Sequence, residues 1–212
     1  MKHKKRTGPS KEAEEPQDAQ GEGRTEKRGL SRSIGGLIVA LALAILVINA
    51  VWLGKHCGGL RAPHKGSVAP SLALRDLSGK VHTLKALHGK VVILDFWATW
   101  CPPCVAKVPH LEALADEFES RGLRILGVSV DRNLGMLKSF VGRRAAIRKR
   151  EGKGPSKVVV LRSTGRVSAA YGAHSLPHVT LVNRQGQIVY VHIGGGGLSE
   201  LRERVLEALA SP

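Results

Sequence analysis

The sequence predicts an α/β domain, a central mixed β-sheet flanked by helices on both faces. Three observations predict it. Short apolar runs bounded by Gly or charged residues alternate with segments whose apolar residues recur every three or four positions. The turn signal "NRQG" joins the last two runs as a hairpin. Residues 69 to 212 form one uninterrupted stretch long enough to enclose a single core.

The elements follow in chain order. Residues 1 to 33 are polar and charged and contain no aromatic residue, so they cannot build a core and read as a disordered tail. Residues 34 to 53 are apolar apart from Asn49. At about 1.5 Å per residue this run matches a hydrocarbon core of about 30 Å. It reads as a transmembrane signal anchor. A cleaved signal peptide has an apolar region of about 7–15 residues behind a short basic start. Here the run and its polar preface are longer, and no small-x-small cleavage site follows. Nine basic residues precede the span, whereas Lys55, Arg61 and Lys65 follow it. That excess places the tail in the cytoplasm and the domain outside, in the periplasm or its equivalent. Residues 54 to 68 read as a linker.

Within the domain, "VVILDFW" (91 to 97) is an apolar run broken by one acid, the pattern of a buried central strand. From Pro102, the apolar residues Val105, Val108, Leu111, Leu114 and Phe118 describe a helix that Gly122 stops and Pro109 should kink. Residues 123 to 130 form the next strand and 134 to 141 a helix. Strands at 157 to 161, 178 to 183 and 187 to 193 precede a closing amphipathic helix at 198 to 209.

Charge is unevenly placed. The formal net charge is +16, and residues 143 to 157 alone carry seven basic residues against Glu151. This stretch reads as a solvated loop, or as one that meets anionic headgroups or an acidic partner. It has no interleaved aromatic residues, which argues against nucleic acid as a partner.

"DFWATWCPPCVAKVP" (95 to 109) carries the chemistry. A structural staple closing so short a loop would remove little chain entropy. Tetrahedral zinc needs more ligands than one Cys pair supplies, and no second pair exists, so no metal site is expected. Haem attachment needs His after the second Cys, where Val105 stands. Redox chemistry remains. Cys101 lies where a central strand meets a helix N-terminus, whose dipole stabilises a thiolate. Cys104, one turn on, can attack a mixed disulfide formed at Cys101. Pro102 and Pro103 suit a helix start because their missing N–H groups would have no partner there. No cofactor beyond the Cys101–Cys104 disulfide is expected. Asp95, six residues before Cys101 in an apolar strand, should be buried with a raised pKa and exchange a proton with Cys104. Its alternative is a strand-end acid paired with a lysine.

At these residues the chain resembles the thioredoxin superfamily, specifically the membrane-anchored thiol–disulfide oxidoreductases of the TlpA, ResA and CcmG type. The resemblance covers nearly all of residues 69 to 209. "APSLALRDLSGKVHTLKALHGKVVILDFWATWCPPC" is similar to that family's opening β-hairpin, first strand and active site. "ILGVSVD" and "AYGAHSLPHVTLVNRQGQIVYVHIG" match its later landmarks. The resemblance implies a thioredoxin-like fold with an N-terminal β-hairpin extension. It also implies Cys101 as nucleophile and Cys104 as resolving thiol. Pro177 would be a cis-proline facing the disulfide, with Trp100, Leu176 and Pro177 meeting the substrate.

Three residues depart from the family pattern. Lys107 stands where many relatives carry Glu; partly buried it would favour a thiolate, and otherwise it snorkels to solvent. Asp95 replaces the Asn of many anchored relatives. His178 replaces the usual Thr after the cis-proline, either as a group that tunes the disulfide or as an exposed strand histidine. Other features carry less. Cys57 could form an intermolecular disulfide or stay an idle thiol. His56 and His64 lack metal-site spacing, and the "GGGG" run (194 to 197) reads as a hinge.

The expectation is therefore a single-span, extracytoplasmic enzyme on the inner membrane that exchanges disulfides with protein substrates. The direction implied by the resemblance is reduction, for example of apocytochrome c or copper-site cysteines, with electrons from a membrane donor. A disulfide oxidant or isomerase is the alternative enzyme. A copper-delivery or client-binding module using the thiols as ligands is the alternative outside enzymology.

Overall fold

The computed structural model describes residues 28–56 and 63–211. The chain divides into two compact units, Met1–Gly58 and Gly59–Pro212. In the first, helix α1 (Arg28–His56) contains the apolar run. Its segment Gly35–Trp52 has a mean hydropathy of 2.4 and is long and apolar enough to cross a bilayer. Asn49, the polar residue within the run, donates its Nδ2 to the Ile45 carbonyl at 2.8 Å, which satisfies it inside the helix. The expected tail up to residue 27, Cys57 and the rest of 57–62 lie outside the described residues.

The second unit opens with a two-stranded hairpin, β1 (Ala73–Arg75) and β2 (Val81–Thr83). Its turn is organised by Asp76, whose Oδ1 accepts from Ser78 N, Ser78 Oγ and Lys80 N. After a short 3-10 turn come β3 (Val91–Trp97), α2 (Pro102–Phe118), β4 (Leu123–Ser129), α3 (Leu134–Arg150) and β5 (Val159–Arg162). Then follow α4 (Gly165–Ala170), β6 (His178–Val182), β7 (Ile188–Ile193) and α5 (Leu198–Ala210). The main sheet has the order β5-β4-β3-β6-β7. β3 runs parallel to β4 and antiparallel to β6, so the sheet is mixed as expected.

All seven residues of β3 are buried, which fixes it as the central strand. Its alternating side chains divide between two cores. Val91 and Ile93 join Leu111, Leu114 and Phe118 of α2 and Leu201, Val205 and Leu209 of α5. Val92, Leu94 and Phe96 face the other way, onto Leu72 and Leu74 of the hairpin region, Leu161 and Tyr171. A third cluster joins Trp97, Cys101 and Cys104 to Leu137 and Phe140 of α3. All three cores are built from residues of the second unit alone, as in a domain that folds independently.

Helix α3 corrects the reading of the basic stretch. Residues 143 to 150, taken as loop, continue the helix that apolar spacing ended at 141. Arg144 and Arg148, four residues apart, face Glu112 and Asp116, four apart on α2. Arg144 meets Glu112 at 2.5 Å, and Arg148 meets Asp116 at 2.9 Å and the Gly154 carbonyl at 3.0 Å. Ion pairs therefore extend the helix where an apolar stripe does not. The basic last turn also complements the helix C-terminus, and Asn133 caps the start by accepting from Met136 N. Lys138, Arg143, Lys149 and Arg150 remain outward, so part of the charge is a helix face.

His178 is buried at 2% exposure, not an exposed strand histidine. Its ring sits edge-on to Phe96, 5.6 Å between centroids. Nε2 lies 3.2 Å from Thr180 Oγ1, and Nδ1 has no hydrogen-bond partner. Burial foremost, with the charge of Lys107 and His174, lowers its pKa to about 4. In the unfolded chain the imidazole regains its ordinary value of about 6.5 and binds a proton that the folded state refuses. Its contribution to stability is thus complete above about pH 6.5 and is lost as pH falls toward 4. Urea unfolding at pH 7 and pH 5 should show a larger loss for the wild type than for His178→Gln. Equal losses would refute this role for the histidine.

Candidate active site

Strand β3 ends at Trp97, and the chain turns through 98 to 101 into α2. Cys101 is the helix N-cap, in extended backbone conformation, and Pro102 begins the helix. Cys101 and Cys104 are joined as a disulfide with their Cα atoms 5.3 Å apart. Cys104 is fully buried and Cys101 nearly so, which leaves Cys101 as the more accessible sulfur. The helix N-terminus behind Cys101 offers its positive dipole to a developing thiolate, although Pro102 and Pro103 contribute no N–H group.

Between β3 and α2, one helical turn beyond Cys104, lies a buried charge pair. Asp95 projects from β3 toward the α2 face at 2% exposure, and Lys107 descends from α2 at 6% exposure. Lys107 Nζ stands 2.5 Å from Asp95 Oδ1, in an ion contact that lacks the angle of a hydrogen bond; neither atom has a hydrogen-bond partner. Lys107 therefore does not snorkel, because the helix face that carries it is turned onto the sheet. Burial raises the Asp95 pKa, and the Lys107 charge works against that rise. Asp95 is both the buried acid and the partner of a lysine, two readings the sequence held apart.

The other expected residues divide. Leu176–Pro177 is a cis peptide bond, as the resemblance implied. It precedes β6, whose first residue pairs with Phe96, so it sits beside the strand end from which the Cys motif springs. Leu176 packs against the cluster that holds both cysteines. Trp100 is 63% exposed beside Cys101, available to a macromolecular substrate. His178 points to the opposite face of the sheet from Asp95 and Lys107, among Phe96 and Thr180. Among the described residues no group of three or more His, Cys, Asp or Glu gathers as a metal site would require.

Two parts of the site were missed. Asp131, just past β4, holds the active-site loop: it accepts from Thr99 N at 3.0 Å, Thr99 Oγ1 at 2.7 Å and Ser129 Oγ at 2.8 Å. An acid at the carboxyl end of a central strand was the available signal. The glycine run does more than act as a hinge. Gly194 N donates to the Pro177 carbonyl at 2.8 Å. A Cβ on Gly195 would lie 3.3 Å from Pro103 Cβ, and one on Gly197 would strike the His192 ring. Bare backbone at Gly195 thus ties the cis-proline loop to the Cys motif.

Residues 64–206 match the family described as Redoxin. The chain is 37% identical over 160 residues to the thiol–disulfide oxidoreductase ResA of Halalkalibacterium halodurans, covering 73% of this chain and 86% of the relative. With ResA of Bacillus subtilis the identity is 34% over 170 residues, covering 80% and 87%. A solved structure of a putative thiol:disulfide interchange protein DsbE from Chlorobium tepidum superposes with a TM-score of 0.62 at 28% identity. It covers 70% of this chain and 99% of its own. These likenesses, together with a Cys-Pro-Pro-Cys disulfide at a helix N-terminus on this sheet, lead to one conclusion: the chain belongs to the redoxin family and is a thioredoxin-fold thiol–disulfide oxidoreductase of the ResA and DsbE type.

Proposed function

We propose that the protein is a membrane-anchored disulfide reductase acting on protein cysteines outside the cytoplasm. The observation that carries the direction is the pairing of Lys107 with Asp95. A lone buried cation beside the disulfide would stabilise the thiolate and make the protein an oxidant, since an oxidant's reduced form is the stabilised one. Here the lysine charge is matched by a carboxylate at 2.5 Å, and His178 is neutral near pH 7 and faces the other side of the sheet. Only the helix N-terminus then favours the Cys101 thiolate, which supports a reductant of ordinary strength.

In the reductive cycle the Cys101 thiolate attacks a client disulfide. One client sulfur leaves as a thiolate and the other becomes joined to Cys101. Asp95 takes the proton of the Cys104 thiol, and the resulting thiolate attacks the Cys101 sulfur. The second client sulfur leaves, and two electrons have passed from the dithiol to the client. Trp100, Leu176 and Pro177 would line the client's path. The oxidised protein must then be reduced by a donor; with the apolar segment of α1 as anchor, a membrane dithiol protein suits that task. Clients such as apocytochrome c or copper-site cysteines fit a reductant in that compartment.

The reduction potential of residues 63–212 should lie near that of thioredoxin, about −270 mV, and a value near −120 mV would overturn the direction. Asp95→Asn leaves the lysine unmatched and should move the potential tens of millivolts in the oxidising direction, about 30 mV for each 1.4 kcal/mol. Asp95→Asn with Lys107→Met should return most of that shift, although resolution of the mixed disulfide stays slow. A purely structural role for the pair would leave the potential unchanged. For the anchor, full-length protein should stay in the membrane pellet after alkaline carbonate washing, and deletion of 34–53 should release it. Release of the intact chain would contradict anchoring.

A further inference from the structure

Helix α3 carries six basic residues and no acid. Arg144 and Arg148 are matched by Glu112 and Asp116 of α2. Lys138, Arg143, Lys149 and Arg150 are exposed, and none of them forms an ion pair among the described residues. Glu151, just past the helix, pairs with Lys153 at 2.8 Å. These four cations share one helix surface with their mutual repulsion unrelieved, whereas acids on α2 relieve the other two. An open groove of about 530 Å³ joins this surface to the active-site loop. Thr99, two residues before Cys101, lines it together with Met136, Ser139 and Arg143 of α3.

Spacing along the helix defines the surface. Met136, Arg143 and Arg150 recur every seven residues, so they follow one stripe of α3, with Ser139 and Ala146 between them. Met136 is 52% exposed and Trp100, next to Thr99, is 63% exposed, so apolar surface beside Cys101 gives way along the stripe to basic surface. Asp131 is engaged by Thr99 and Ser129, and the positive part of the stripe begins at Arg143. We propose that this stripe docks an acidic segment of the client chain, with an apolar side chain on Met136 and carboxylates on Arg143 and Arg150. Charge selects the occupant: a carboxylate completes each unmatched guanidinium, whereas a neutral or basic chain leaves the repulsion in place. From Cys101 past Thr99 and Met136 to Arg143 is on the order of 20 Å, and Arg150 lies about 10 Å further. An extended chain covers those distances in about six and about three residues. The client's acids should therefore stand about six and about nine residues from the cysteine that meets Cys101. Such docking rests on the proposed function only in taking protein cysteines as clients, and it holds for either direction of electron flow.

The test uses reduced residues 63–212 and peptides whose single cysteine is disulfide-bonded to 5-thio-2-nitrobenzoate. The Cys101 thiolate joins the peptide sulfur, and the coloured thiolate leaves with the electron pair of the broken S–S bond. Cys104 then displaces the peptide thiolate. Peptides with Asp about six and about nine residues to either side of the cysteine should release the colour about fivefold faster than their Asn counterparts at low salt, the worth of two exposed ion pairs. In about 1 M salt the difference should vanish. Arg143→Ser with Arg150→Ser should abolish the preference. Lys85→Ser with Lys90→Ser removes as much exposed charge ahead of β3, toward the end away from Cys101, and should keep it. Equal rates for the Asp and Asn peptides in the wild type, a preference that survives Arg143→Ser with Arg150→Ser, or one lost equally in the Lys85 and Lys90 variant would overturn the docking surface and leave the proposed function standing. Release from no peptide would strike the proposed function as well.

Discussion

A carboxylate and an ammonium confined between the central strand and the active-site helix constrain everything around them. Asp95 lies on a strand with no exposed residue, where an unpaired charge would cost several kcal/mol, so its ionised form persists only beside Lys107. Lys107 can reach it only if that face of α2 lies on the sheet. The same seating turns Cys104 inward, leaves Cys101 at the rim, and brings Glu112 and Asp116 to the arginines of α3. Breaking the pair by removing one partner strands the other charge in the core. The pair therefore binds stability and chemistry together.

The chemistry is distributed over structures that each contribute one element. The helix N-terminus supplies positive potential to Cys101, Asp95 on the sheet is the proton acceptor of the proposed cycle, and Asp131 fixes the loop between strand and helix by gripping both the amide and the hydroxyl of Thr99. On the far face, neutral His178 fills space between Phe96 and Thr180. It contributes no charge to the disulfide at neutral pH, despite following the cis-proline directly. The sheet separates two groups that lie close in sequence logic but belong to different cores.

Much of this is legible in the sequence alone. The continuous apolar run around Asp95 marked both the central strand and a buried acid, because only an interior strand hides both faces. The Cys spacing behind that strand marked the redox site, since a helix start holds two sulfurs one turn apart. What stayed hidden depended on pairings between distant segments. Lys107 reads alike as a snorkelling or a buried lysine until the opposing carboxylate is located. Arg144 and Arg148 read as loop charges because the periodicity of apolar residues does not register a helix face satisfied by acids on another helix. Gly195 looked like a hinge because a missing side chain reveals its purpose only when Pro103 stands 3.3 Å from where the Cβ would be.

The most direct measurement is a ¹³C NMR titration of the Asp95 carboxyl in the oxidised domain, repeated in Lys107→Met. The carboxyl should titrate above the ordinary aspartate value of about 3.9, and higher still once the lysine is gone, because burial raises it and Lys107 restrains the rise. Titration at or below the ordinary value, or no change on removing Lys107, would contradict the buried pair as the centre of this active site.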